Sequence, residues 1–125
     1  MESGIIRNEN GEVLYSSKHE HYMYGLLIEA QAEGIDLRGA VIKNCIIWLD
    51  ILIKTSFENA IIENVIIYGL NLKLKHNINK VIDNLLSTKS LKGSSVKIYG
   101  SCYDQIEEEK VSELALRGLK FKVLR

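Results

Sequence analysis

The 125-residue chain is short of several things that would announce a function. Two cysteines are too few for a disulfide scaffold. No apolar stretch reaches the roughly 18 residues of a membrane span, because Lys43, Asp50 and Lys54 interrupt the richest one. Net charge is zero, which gives no sign of a nucleic-acid or membrane-surface protein. The chain is also expected to lack a signal peptide, and its composition predicts a reduced, cytoplasmic protein. The charge is unevenly placed. Residues 1–34 hold two basic and six acidic groups, residues 35–74 four of each, and residues 75–125 ten basic and six acidic. An acidic head and a basic tail are set to attract one another.

What is present is a repeat. Residues 35 to 74 divide into eight five-residue units: IDLRG, AVIKN, CIIWL, DILIK, TSFEN, AIIEN, VIIYG and LNLKL. The third position is always large and apolar: Leu37, Ile42, Ile47, Leu52, Phe57, Ile62, Ile67, Leu72. The first is small or apolar except at Asp50. A period of five is neither the 3.6 of a helix nor the 2 of a strand, and fixed-period self-similarity marks a repeat architecture.

These units resemble the pentapeptide-repeat family, whose unit is A-(D/N)-L-x-x; IDLRG is the closest match, and AVIKN and AIIEN keep the small first residue and apolar centre. The resemblance covers about a third of the chain. It implies a right-handed, four-sided β-helix with first and third residues inward and four units per coil, hence about two coils here. The fold class expected is mainly β with an α/β tail: a short quadrilateral β-helix, an N-terminal hairpin and capping helix, and a C-terminal helix–strand–helix–strand segment. The corresponding domain division is 1–34, 35–74 and 75–125.

A 20-residue coil places residues i and i+20 side by side, about 4.8 Å apart. Lys43 then meets Glu63, Arg38 meets Glu58, Trp48 meets Tyr68 and Asn44 meets Asn64, with Ala40 on Ala60, Ile42 on Ile62 and Ile47 on Ile67. Opposite charges, paired aromatics and matched core residues are favourable cross-strand neighbours. The second, outward position departs from the family: Val41, Ile46, Ile51, Ile61 and Ile66 stand where Asp or Asn is usual. With Ile53, Leu49, Trp48 and Tyr68 at other outward positions, at least two sides should present apolar surface. Large open patches of this kind are uncommon on soluble monomers. The C-terminal segment, a second copy or another protein would cover them. The candidate partner or oligomer contacts are therefore Val41, Ile46, Trp48, Ile51, Ile53, Ile61, Ile66 and Tyr68.

The flanks carry ordinary signals. Asn10-Gly11 between two β-prone runs predicts a hairpin. A helix follows from about Lys18 or Glu20 to Glu33, with Tyr24, Leu27, Ile28 and Ala32 on one face and Gly34 as its stop; it is placed to plug the first coil. Gly11-Glu12-Val13 and the stretch Ala30 to Ala40 also resemble small phage-encoded pentapeptide-repeat proteins. After Leu74 the sequence predicts a helix over 77–86, a strand over 96–99, a helix from Tyr103 or Asp104 to Arg117 and a strand over 119–124, the two strands parallel.

Chemistry is sparse. His19-Glu20-His21 would align both rings on a strand but not on a helix, and a solvated helix start is the plainer reading. His76 stands alone. Cys102, in Gly100-Ser101-Cys102-Tyr103, is placed where a nucleophilic or phosphate-binding loop can sit, yet no arginine follows at phosphatase spacing, no Gly-Lys-Ser/Thr is present, and Glu107, Glu108 and Glu109 suit an anion poorly. Cys45 falls on an inward position. No cofactor or metal is expected. The reading is a non-enzymatic protein-binding module that self-associates, most simply as a dimer, through apolar solenoid faces. The phage resemblance implies a host protein, of a defence system, as partner. The alternatives are a DNA-mimic inhibitor of gyrase or topoisomerase, for which two neutral coils are short, and a small enzyme using the Cys102 loop. Direct nucleic-acid binding would rest on Lys89, Lys92, Lys97, Lys120 and Lys122.

Overall fold

A computed structural model describes residues 4–19, 22–71 and 74–125. The chain opens with β1 (Ile5–Asn8) and β2 (Val13–Ser16), an antiparallel hairpin. Its turn is locked by the Asn8 side chain, whose Oδ1 accepts from the amides of Asn10 at 3.0 Å and Glu12 at 2.9 Å. Helix α1 (Met23–Ala32) ends at Gly34, with φ of 70°. The Gly34 amide donates to the Gln31 carbonyl and the Ile35 amide to the Ala30 carbonyl, so a Schellman cap consumes the carbonyls the helix would otherwise leave open.

The repeat then supplies β3 (Ala40–Lys43), β4 (Ile46–Trp48), α2 (Ile51–Lys54), β5 (Ile61–Glu63) and β6 (Ile66–Gly69). The remainder gives α3 (Leu74–Leu86), β7 (Ser95–Tyr99), α4 (Gly100–Tyr103), α5 (Glu108–Leu116) and β8 (Lys120–Leu124). Two four-stranded sheets result: a hairpin sheet in the order β2-β1-β3-β5 and an all-parallel sheet in the order β4-β6-β7-β8.

The expected mainly-β, closed quadrilateral β-helix does not form; the protein is a mixed α/β structure with two small sheets and five helices among the described residues. The departure begins at Asp50, the one unit whose first residue broke the pattern. Units AVIKN, CIIWL, AIIEN and VIIYG become strands, but DILIK becomes α2. Ile51 and Leu52 are consecutive and both buried, which a two-residue strand alternation cannot achieve and a helix can. The chain leaves the second repeat turn through α3 instead of a fourth strand side. The inward position at Leu72 lies outside the described residues.

Within the strands the 20-residue register holds. Val41, Ile42 and Lys43 pair in parallel with Ile61, Ile62 and Glu63, and Ile46, Ile47 and Trp48 with Ile66, Ile67 and Tyr68. Lys43 Nζ lies 3.5 Å from Glu63. Arg38 differs: its guanidinium grips Asp36 at 2.7 Å instead of Glu58, because the neighbouring side chain on its own turn is nearer.

The ladder continues past the repeat with other turn lengths. Ile67 pairs with Val96, 29 residues on, and Val96 with Phe121, 25 residues on. Each turn reaches the parallel sheet through one left-handed corner: Asn44 (φ 56°), Asn64 (φ 55°), Gly93 (φ 74°) and Gly118 (φ 99°). Asparagine and glycine are the residues that enter this region at low cost. An equivalent corner precedes β3 and β5 at Gly39 and Asn59. Ser94 seals the passage between the sheets: its hydroxyl donates to the Ile62 carbonyl at 2.8 Å and accepts from the Val65 amide at 3.1 Å, fully buried.

Where strands are missing, side chains do the pairing. Asn84 of α3 donates through Nδ2 to the carbonyls of Leu52 (3.0 Å) and Thr55 (2.6 Å) and accepts through Oδ1 from the Phe57 amide at 2.8 Å. Gln31 of α1 donates to Thr55 Oγ1 at 2.6 Å. One core runs through both sheets and the helices, including Leu37, Ile42, Ile47, Phe57, Ile62, Ile67, Val81, Leu91 and Val96.

Urea unfolding tests both the left-handed corners and the Asn84 bonds. Gly118→Ala should cost on the order of 2 kcal/mol or more, because a Cβ there would sit 2.6 Å from the Lys92 Cα in addition to the left-handed strain. Gly93→Ala should cost less, since its obstacle is the Asn64 side chain, which can move. Asn84→Ala strands three backbone groups and should cost about 2–4 kcal/mol; Asn84→Asp should be no better, since a carboxylate cannot donate to the two carbonyls.

Candidate interaction face

Parallel sheets are normally covered on both faces. Here the inner face of β4-β6-β7-β8 meets the core through Ile47, Ile67, Val96 and Ile98, while the outer face stays open. Alternation along each strand decides this, one side chain in and the next out.

The outward side chains line up in rows across the strands. One row runs Ile46, Ile66, Ser95, Lys120; the next runs Trp48, Tyr68, Lys97, Lys122; a third joins Tyr99 to Leu124. Ile46 is 53% exposed, Trp48 44% and Ile66 40%. The Trp48 and Tyr68 rings lie 5.3 Å apart and tilted, and Lys97 Nζ sits 5.4 Å from the Tyr68 ring centre, within cation–π range. The outward positions of these four strands carry no carboxylate. The face is therefore apolar and aromatic at its β4–β6 end and cationic at its β7–β8 end.

Of the eight predicted contact residues, the fold brings Ile46, Trp48, Ile66 and Tyr68 together on this face. Val41 and Ile61 lie half-buried on the hairpin sheet, where β1 pairs alongside β3 and Ser90 bridges to Ile61. Ile51, expected outward, is 1% exposed because α2 turns it into the core, and Leu49, also expected outward, is fully buried beside Gly69. Ile53 is half-buried near α3, at a shallow depression that Lys80 and Ser87 also line. Lys97, Tyr99, Lys120, Lys122 and Leu124 join Trp48 on one surface only in the folded chain. Their strand alternation is visible in SVKIY and KFKVL, but the 29- and 25-residue offsets that align them are not.

The other candidates change character. Cys102 lies inside the short helix α4, not in a loop, and is 2% exposed, so no substrate can approach its thiol as placed. Burial pushes the Cys45 thiol up to about 11, which keeps it protonated and unreactive at neutral pH. Of the histidine pair, His19 is exposed and His21, with Glu20, lies outside the described residues. Among the described residues no three metal-capable side chains converge, and no helix is long and apolar enough to cross a membrane. Tyr24, whose hydroxyl donates to Asp50 at 2.9 Å, has its pKa pushed up to about 12 by burial and then by that carboxylate, so this link between α1 and the start of α2 persists across physiological pH.

Trp48 is the sole tryptophan, so its fluorescence reports on this face alone. In dilute protein it should emit at a solvent-exposed wavelength and be quenched efficiently by acrylamide. Emission that is shielded at high concentration and opens on dilution would mean that a second copy covers the face. Comparison with family models, with curated proteins and with solved structures returns no match.

Proposed function

We propose that the chain is a non-enzymatic binding module that presents the outer face of its parallel sheet to a protein partner. The observation that carries this reading is the uncovered face itself, with Trp48, Tyr68, Ile46 and Ile66 beside Lys97, Lys120 and Lys122 and no outward carboxylate among them. Exposed aromatic and aliphatic groups edged by charge are how protein interfaces are built. Its chemistry fits a partner surface with an apolar centre and an acidic margin. The phage resemblance supports a host protein as that partner, on the residues of that resemblance alone.

A single-stranded nucleic acid is the competing ligand, since aromatics and lysines also serve stacked bases and phosphates. The protein reading is preferred because the Tyr68 ring is already occupied by Trp48 and Lys97, and because the Ile46–Ile66 row offers nothing to a base or phosphate.

The test compares partner capture from host lysate by the wild-type protein, by a Trp48→Ala/Ile66→Lys variant, and by Lys43→Ala on the other sheet. Capture of one defined protein that is lost with the first variant and kept with the second supports the reading. Equal loss in both, or binding of oligo-dT that weakens steeply with salt, overturns it. Both Trp48 and Ile66 are exposed, so the double variant should stay folded, with a stability change near 1 kcal/mol.

A further inference from the structure

The parallel sheet has two edge strands, β4 and β8. At one end α1 packs beside β4, and the same helix lies against β2, where the Tyr15 hydroxyl donates to Glu29 at 3.0 Å. At the other end the ladder stops at β8. The Lys120 amide donates to the Ser94 carbonyl at 3.1 Å, so Lys120, Lys122 and Leu124 direct their backbone groups toward β7. By alternation the amides and carbonyls of Phe121 and Val123 point the opposite way. No strand pairs with that side among the described residues.

The core thins there, with the Tyr103 ring of α4 set edge-on 5.3 Å from Phe121. Ile67 and Val96 are fully buried, while Phe121, next in the same column, is half-buried, as is Val123 beside Ile98. A stack of turns leaves this combination, open backbone groups and a partly covered apolar column, where one more layer can be laid.

We infer that the free edge of β8 accepts an extended acidic segment of another protein as a fifth strand, with Asp or Glu beside Lys120 and Lys122 and apolar residues between them covering Phe121 and Val123. The inference rests on the binding-module reading and names the chemistry of the partner's contact segment. A second copy is the wrong occupant. Antiparallel pairing of two β8 strands about their midpoint would set Lys122 directly against Lys122, and like charges in opposed positions destabilise a pair. Lysines on an edge strand are how sheets avoid joining their own kind, and the same lysines favour an acidic strand. Main-chain hydrogen bonds would supply affinity and the alternating side chains specificity.

The experiment is amide hydrogen exchange read by NMR on the full chain, with two synthetic peptides: one alternating glutamate with valine, the other alternating lysine with valine. The glutamate peptide should slow exchange at Phe121 and Val123 by about tenfold or more, and the lysine peptide should not. Lys120→Glu/Lys122→Glu should reverse the preference; both lysines are exposed, so the fold should survive. No protection by either peptide, or equal protection by both, overturns the inference. Concentration-dependent protection without peptide overturns it in favour of self-pairing. If the edge fails these tests while partner capture still depends on Trp48, the face reading stands and the edge inference alone is lost.

Discussion

A strand in a parallel ladder can satisfy its backbone only if the next turn of chain arrives in the same direction at the same height. That requirement falls on the corners. Asn44, Asn64, Gly93 and Gly118 hold the backbone in a region that most residues enter only with strain, and each hands the chain to a strand of the same sheet. Everything between two corners is free to vary so long as it returns there. The first return takes 20 residues and is made with short strands and α2; the second takes 29 and contains α3; the third takes 25 and contains α4 and α5.

This explains which parts were legible in the residues. Matched pairs at a separation of 20 located β3 on β5 and β4 on β6 to the residue, because those turns have equal length. The same reasoning had no purchase beyond Leu74, where turn length changes and no fixed period remains. The fold class failed at Asp50-Ile51-Leu52-Ile53-Lys54. Three apolar residues between two charges suit a strand or a helical turn equally, and packing against α1 and α3 selects the helix. Half the candidate face was legible for the same reason: Ile46, Trp48, Ile66 and Tyr68 belong to equal turns, whereas Lys97, Lys120 and Lys122 join them only through the longer ones.

The uneven charge of the chain acquires a location. The acidic head and basic tail touch where Lys89 meets Glu9 at 2.7 Å across the bottom of the hairpin, an exposed pair that adds little stability. Asp104 and Arg125 pair at 2.9 Å, and Asp83 with Lys110 at 2.8 Å. Lys97, Lys120 and Lys122, on the outer face of the parallel sheet, belong to none of these pairs. Neutrality of the whole chain thus conceals a cationic margin on one face.

The charge of the β8 edge has a consequence for stoichiometry. Head-to-tail addition builds a fibre only when a new layer presents the surface it has just covered. An acidic fifth strand on β8 would leave an acidic outer edge in place of the lysine edge it covers. A segment laid on β8 would therefore not create a place for the next. Addition at this edge would then stop at one segment, because a second acidic strand would meet like charge.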